Sequence, residues 1–228
     1  QRIKGLFYKS ADVIVCNSKA TFDLRAKKNE KAKFIPNATR VPHEPICSGY
    51  DSNIILLMAR IARVKNIECA IRALTYLPDE MTVVLIGKVE DQTYAEELKT
   101  MVEELGVTDR FLFKGYSSDI AKDLAESFCT ILPSWEEGMP NAVLESWAHE
   151  RVPIVSDVPG NTNLVHDSQY VFPCDAPEVL AKRIMDLKAC SKDEYEEACA
   201  KSRLYVERHH SIPAMIDKYE KMFESATS

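Results

Sequence analysis

Along most of this chain, short apolar runs alternate with stretches whose apolar residues recur at helical spacing. Runs at 53–58, 82–86, 111–113, 128–132, 153–155 and 170–172 are too short for core helices. They carry little polar alternation, the pattern of strands covered on both faces. Between them, Ile67, Ala70, Ile71 and Leu74 fall at i, i+3, i+4 and i+7, and Leu180, Ile184 and Leu187 repeat the period. Asp175-Ala-Pro-Glu178 and Ser191-Lys-Asp-Glu194 have the form of capping boxes and predict helix starts. Two further helices are expected at about 191–208 and 211–224. Strand alternating with helix predicts an α/β unit with a doubly wound parallel sheet over 53–190.

The first 40 residues do not belong to that unit. A strand at 12–16, a cap at Asn17-Ser18, a helix to about Lys28 and a strand at 33–35 cannot bury both of their faces alone, so they are expected to be the tail end of a preceding α/β domain. Residues 36–52 hold three prolines and a glycine with little periodicity, which marks a linker, assigned to 41–52. With Gln at position 1, the chain is expected to be a truncated or processed piece.

One stretch draws chemical attention. Glu137-Gly-Met-Pro-Asn-Ala-Val-Leu-Glu145 sets two carboxylates eight apart around a glycine turn. In a chain with 35 acidic residues that spacing alone decides nothing. Context selects it: the run Cys129-Thr-Ile-Leu-Pro133 precedes it as a buried strand, and Val143, Leu144 and Trp147 give the following helix an inward face. A strand-to-helix junction is where open α/β sheets bind ligands. Glu137 is placed in the loop at the glycine turn of Gly138, with Pro140 near the first helical position. The unpaired amides of Asn141 and Ala142 would face an anion such as a diphosphate. Glu145 would accept the hydroxyls of a ribose and Glu137 those of a sugar.

Arg60 and Lys65 follow the first strand of the unit and would neutralise that diphosphate. Gly87 and Gly115 end strands where a missing side chain lets backbone approach a ligand, and Tyr116 is placed to stack on a base. The net charge of −6 argues against a nucleic-acid binder. No run approaches a membrane span, and seven scattered cysteines suit a reducing cytoplasm. The five histidines lack ligand spacing and no D-x-D pair occurs, so neither metal nor another cofactor is expected.

Several landmarks together resemble the donor-binding, C-terminal lobe of GT-B glycosyltransferases, specifically the retaining family 4. Ala11-Asp-Val-Ile-Val with Asn17-Ser18 resembles the last strand of that family's acceptor domain, and Ile35-Pro-Asn37 its hinge. Ala59-Arg60-Ile-Ala-Arg-Val-Lys65 resembles G-R-L-x-x-x-K, Phe113-Lys-Gly115 resembles F-x-G, and Pro133-Ser134 with Glu137 to Glu145 resembles P-S-x-x-E-G-x7-E. Ala38, Ala59, Glu150 and Asn163 depart from the family pattern.

The resemblance implies a Rossmann-like donor lobe with C-terminal helices, 191–228, packing back toward the first lobe. It implies Arg60, Lys65 and Glu137 as catalytic residues, and Gly87, Tyr116, Gly138, Met139, Pro140, Asn141, Ala142 and Glu145 as donor contacts. The implied reaction is hexosyl transfer with retention, from a nucleotide-sugar such as a UDP-sugar to a saccharide or lipid-linked acceptor, in surface polysaccharide or glycoconjugate synthesis. The acceptor would engage the missing N-terminal domain, membrane association would be peripheral, and this chain alone would be inactive. A GT-B-fold sugar-nucleotide epimerase and a non-catalytic nucleotide-sugar module are the alternatives.

Overall fold

The computed structural model describes residues 11–43 and 49–227. Its centre is a six-stranded sheet of β3 (Ile54–Met58), β4 (Thr82–Ile86), β5 (Phe111–Gly115), β6 (Cys129–Leu132), β7 (Val152–Ser156) and β8 (Val171–Phe172). All pairings are parallel, in the order β5-β4-β3-β6-β7-β8. The order reverses between β3 and β6, and that switch point is where an open sheet of this kind leaves a crevice at its carboxyl edge.

Burial follows the strand period. In β3, Ile55 and Leu57 join a core with residues of α2 (Ile67–Ala73), α3 (Gln92–Glu104) and α7 (Pro177–Lys188). Leu56 turns to the opposite face and packs with Ile86 and with Leu124 of α4 (Ile120–Glu126). A third cluster joins Leu132 and Val155 to Val143, Leu144 and Trp147 of α5 (Asn141–Ala148), as the inward face of that segment predicts. The short α6 (Pro159–Thr162) follows β7.

Among the polar residues buried in this framework, Arg151 is fully enclosed. Its guanidinium donates to the carbonyls of Leu124, Ala125 and Glu150, so it closes the C-terminal end of α4, where helix carbonyls otherwise lack donors. The tail forms α8 (Lys192–His209) and α9 (Ile212–Thr227). Ser191 and Glu194 make the reciprocal capping box that their spacing predicts, and the buried Tyr195 stacks on Phe128 and donates its hydroxyl to the Phe128 carbonyl.

One expectation of the sequence is corrected. Asp175 does not cap α7: Ala176 is the N-cap residue, without a side-chain bond, and Pro177 opens the helix. Proline fixes its own φ and needs no N–H partner at that position, so it sets the start where a side-chain cap would have set it one residue earlier. Pro140 does stand near the first helical position of α5, as its N-cap, and Asn141 takes the first place.

The leading segment is a parallel pair, β1 (Ile14–Cys16) and β2 (Ala32–Phe34), joined by α1 (Lys19–Ala26), which Ser18 caps. The expected linker lies partly outside the described residues, at 44–48. Just before it the chain is pinned: the Thr39 N–H donates to the His210 carbonyl at the junction of α8 and α9.

Candidate functional site

At the carboxyl edge of the switch point, the segment after β3 meets the loop after β6. The first is a short 3-10 turn, Arg63–Lys65, ended by Asn66 in the left-handed region at φ 50°. Asn66 is buried and donates to the Pro133 carbonyl at 3.0 Å and the Cys174 carbonyl at 2.7 Å, tying together the chain after β3, β6 and β8. The Trp135 N–H donates to the Val64 carbonyl at 2.9 Å, which fixes the two segments side by side.

That clamp sets Lys65 against Glu137. Lys65 Nζ lies 2.7 Å from Glu137 Oε1, with side-chain exposures of 16% and 10%, and Ser134 Oγ donates to the same oxygen at 2.7 Å. Oε1 is therefore filled, while Oε2 has no hydrogen-bond partner among the described residues. The loop is held from below as well. Ser156 Oγ donates to the Ser134 carbonyl at 2.6 Å and accepts from Asn161 Nδ2 at 3.0 Å. Gly160 is required here, because a Cβ would come 2.0 Å from the Glu137 carbonyl oxygen.

Beyond the loop, α5 begins. The N–H groups of Asn141 and Ala142 make no hydrogen bond among the described residues, as the first turn of a helix dictates. Unpaired N–H groups at the positive end of a helix dipole favour an anion in general, and here they stand four and five residues after Glu137. Gly138 is exposed and Met139 half-buried between them. One turn on, the half-buried Glu145 carboxylate has no hydrogen-bond or ion-pair partner among the described residues. Burial alone holds its carboxyl above the usual carboxylate value.

The other expected residues sit further out. Arg60 is exposed and paired with Glu90 rather than with Lys65 or Glu137. Tyr116 is 72% exposed, with Lys88 Nζ 5.1 Å from its ring centroid. Gly115 at φ +76° has open space around it. At Gly87 the space belongs to the segment that follows β3: a Cβ would come 1.9 Å from the Ala59 carbonyl oxygen, so backbone packing there accounts for the glycine. Sequence reasoning missed Asn66, Ser134, Gly160 and Asn37 as supports. The local signal for Ser134 was its place three residues before Glu137. No group of three or more His, Cys, Asp or Glu side chains able to hold a metal ion occurs among the described residues. A cavity of about 530 Å³ lies elsewhere, between α7, α8 and the chain around Leu164 to Tyr170, and takes in none of these groups.

The chain is similar to known proteins in sequence and in fold. Residues 47–203 match the family model described as glycosyl transferases group 1. The chain is 28% identical over 160 residues to the lipopolysaccharide core biosynthesis glycosyltransferase LpsE of Rhizobium meliloti, covering 66% of this chain and 45% of that protein. It is 27% identical over 154 residues to a Campylobacter jejuni N-acetylgalactosaminyltransferase acting on a diphospho-undecaprenol substrate, covering 63% of this chain and 41% of that one. It thus spans less than half the length of these relatives. Among solved structures, Anabaena Alr3699/HepE in complex with UDP superposes with a TM-score of 0.85 at 17% identity, covering 94% of this chain and 64% of the other. That likeness shows the fold, an α/β lobe of the GT-B kind.

Proposed function

The chain belongs to the group 1 glycosyl transferases, and from that premise we propose that it is the donor-binding lobe of a retaining, family 4 hexosyltransferase that takes its sugar from a nucleoside diphosphate, UDP being the first choice. The observation that carries the proposal is the set of groups at the switch point. Lys65 and two unpartnered helix amides suit a diphosphate, the free Oε2 of Glu137 suits a sugar hydroxyl, and the unpaired Glu145 suits a ribose diol.

In this reading the diphosphate leaves with its negative charge met by Lys65 and the Asn141 and Ala142 amides, with Arg60 swinging in from the rim. Glu137, fixed by Lys65 and Ser134, orients the sugar. Retention follows from attack on the face the leaving group departs from, a phosphate oxygen taking the acceptor's proton. The acceptor, saccharide or lipid-linked, would be bound by an upstream lobe, so this chain alone would not transfer sugar, because proximity of the two substrates is what the second lobe supplies. The C. jejuni relative's lipid-linked substrate and the R. meliloti relative's lipopolysaccharide role support an envelope-polysaccharide pathway, which we propose to run in the cytoplasm. No helix among the described residues is long and apolar enough to cross a membrane, which suits peripheral association.

Titration calorimetry with UDP, GDP, ADP and their sugars, with and without EDTA, tests the reading. Binding of one of them, unchanged by EDTA, is the expected result, since Lys65 and the amides supply the positive field without a cation. No binding at millimolar concentration would overturn it.

Glu145 adds a pH signature. Its carboxyl is raised above the ordinary 4.5 by desolvation, so the folded state holds the proton more tightly than the unfolded one. Stability on this account rises as pH falls through the raised value, and is lower above it. Nucleoside affinity runs the other way, because only the carboxylate accepts both ribose hydroxyls. Glu145→Gln is expected to melt higher at pH 7 and to bind the nucleotide about 10-fold more weakly, as for a lost hydrogen bond to a charged group. Its affinity should lose the decline that wild type shows as pH falls toward 4.5. Parallel melts and binding titrations against pH check both signs; identical pH profiles for the two proteins would remove Glu145 from the site.

A further inference from the structure

Three asparagines form a directed chain of side-chain amides that runs from the leading segment through the hinge to the donor helix. Asn17 Nδ2 donates to Asn37 Oδ1 at 3.0 Å, and Asn37 Nδ2 donates to Asn141 Oδ1 at 2.8 Å. The direction is fixed by a fourth group: the Met139 carbonyl lies 3.4 Å from the same Asn37 nitrogen, and a carbonyl oxygen requires a donor there. The Asn37 backbone is held too, its N–H on Met139 Sδ at 3.2 Å and its carbonyl 3.0 Å from His210 Nδ1. Since the Asn37 and Asn141 oxygens both accept within the chain, its free end at α5 is Asn141 Nδ2, which makes no hydrogen bond among the described residues. It emerges from the first residue of α5, beside the unpartnered N–H groups of Asn141 and Ala142.

We propose that Asn37 is a positioning residue: anchored to Asn17, it takes the Asn141 oxygen and so turns the Asn141 side-chain amide into a third N–H donor for the donor's diphosphate. The inference rests on the site reading given above, and it adds a link from the leading segment to the anion-binding end of α5. A shift of Asn17 removes the donor on Asn37 Oδ1, while the Met139 carbonyl still holds the Asn37 nitrogen and keeps the direction of the chain. The Asn17–Asn37 contact joins the β1–α1 connection to residue 37.

A double-mutant cycle tests this, with the present chain and whichever of UDP, GDP and ADP binds wild type most tightly. Asn141→Ala is expected to weaken binding about tenfold, as for a hydrogen bond to a charged group. Asn37→Ala is expected to weaken it about threefold to tenfold in wild type and less than twofold in the Asn141→Ala background, because the two residues act as one unit. Asn37→Asp, nearly isosteric, has only acceptors to offer and forces Asn141 to turn its oxygen toward the anion. A loss larger than that of Asn37→Ala, again nearly abolished in the Asn141→Ala background, is expected. Thermal melts of every variant establish that each is folded, and Asn37→Asp carries the cycle should Asn37→Ala not fold. Equal losses from Asn37 substitution in both backgrounds would overturn the proposal and leave Asn37 as a hinge support. Binding by none of the three nucleotides would overturn it together with the functional reading.

Discussion

Lys65→Ala is expected to weaken nucleoside-diphosphate binding by about 10- to 100-fold, the ~1.5–3 kcal/mol of a hydrogen bond to a charged group. The loss has two sources that act together. The ammonium itself faces the anion, and it also neutralises Glu137, whose carboxylate it meets at 2.7 Å with both side chains largely enclosed. Without it, Glu137 keeps only Ser134 and presents an uncompensated negative charge to the diphosphate. Arg60 offers a contrast within the same ligand site. Its side chain is 60% exposed and already paired with Glu90, so its engagement requires leaving a partner and ordering a long flexible chain. Arg60→Ala is therefore expected to cost less than Lys65→Ala. Calorimetric titration of both variants with the same nucleotide decides it; a loss under threefold at Lys65, or a greater one at Arg60, would relocate the diphosphate.

That contrast also marks how far the sequence alone reaches. The strands were legible because burial on both faces leaves a continuous apolar run, and β4 matches its run at both ends. The Glu137 loop was legible because it follows such a run and precedes an amphipathic turn. What holds the loop was not. Asn66 reaches carbonyls 67 and 108 positions away, and Asn37 reaches Asn141 across 104. An isolated polar residue carries no periodicity, and its partners are set by topology. Gly87 and Gly160 pose the same difficulty from the other side. Each glycine looked alike in sequence, yet one admits the Ala59 carbonyl just after β3 and the other the backbone of the loop that carries Glu137. Asp175 shows local pattern losing to local sterics, with Pro177 setting the helix start.

Glu137→Gln, made in an enzyme completed by its acceptor-binding lobe, is expected to lower kcat by about 10²-fold, the scale of a substrate misplaced by an ångström. Nucleotide affinity should hold or tighten. The reason lies in how the amide must sit. The position of Oε1 receives two donors, Lys65 Nζ and Ser134 Oγ, both at 2.7 Å. Only the glutamine oxygen satisfies both, so the NH2 group is forced to the Oε2 position. A sugar hydroxyl that donated to a carboxylate there meets a donor instead, and the sugar loses its orientation. At the same time Lys65 is released from its ion pair and gives its full charge to the diphosphate. The two effects separate in measurement: kcat at saturating donor reports the sugar, and competition by free nucleotide reports the diphosphate. A kcat equal to wild type would return Glu137 to the role of a structural partner for Lys65 and Ser134, and a parallel loss of nucleotide affinity would mean that the carboxylate holds the loop rather than the sugar.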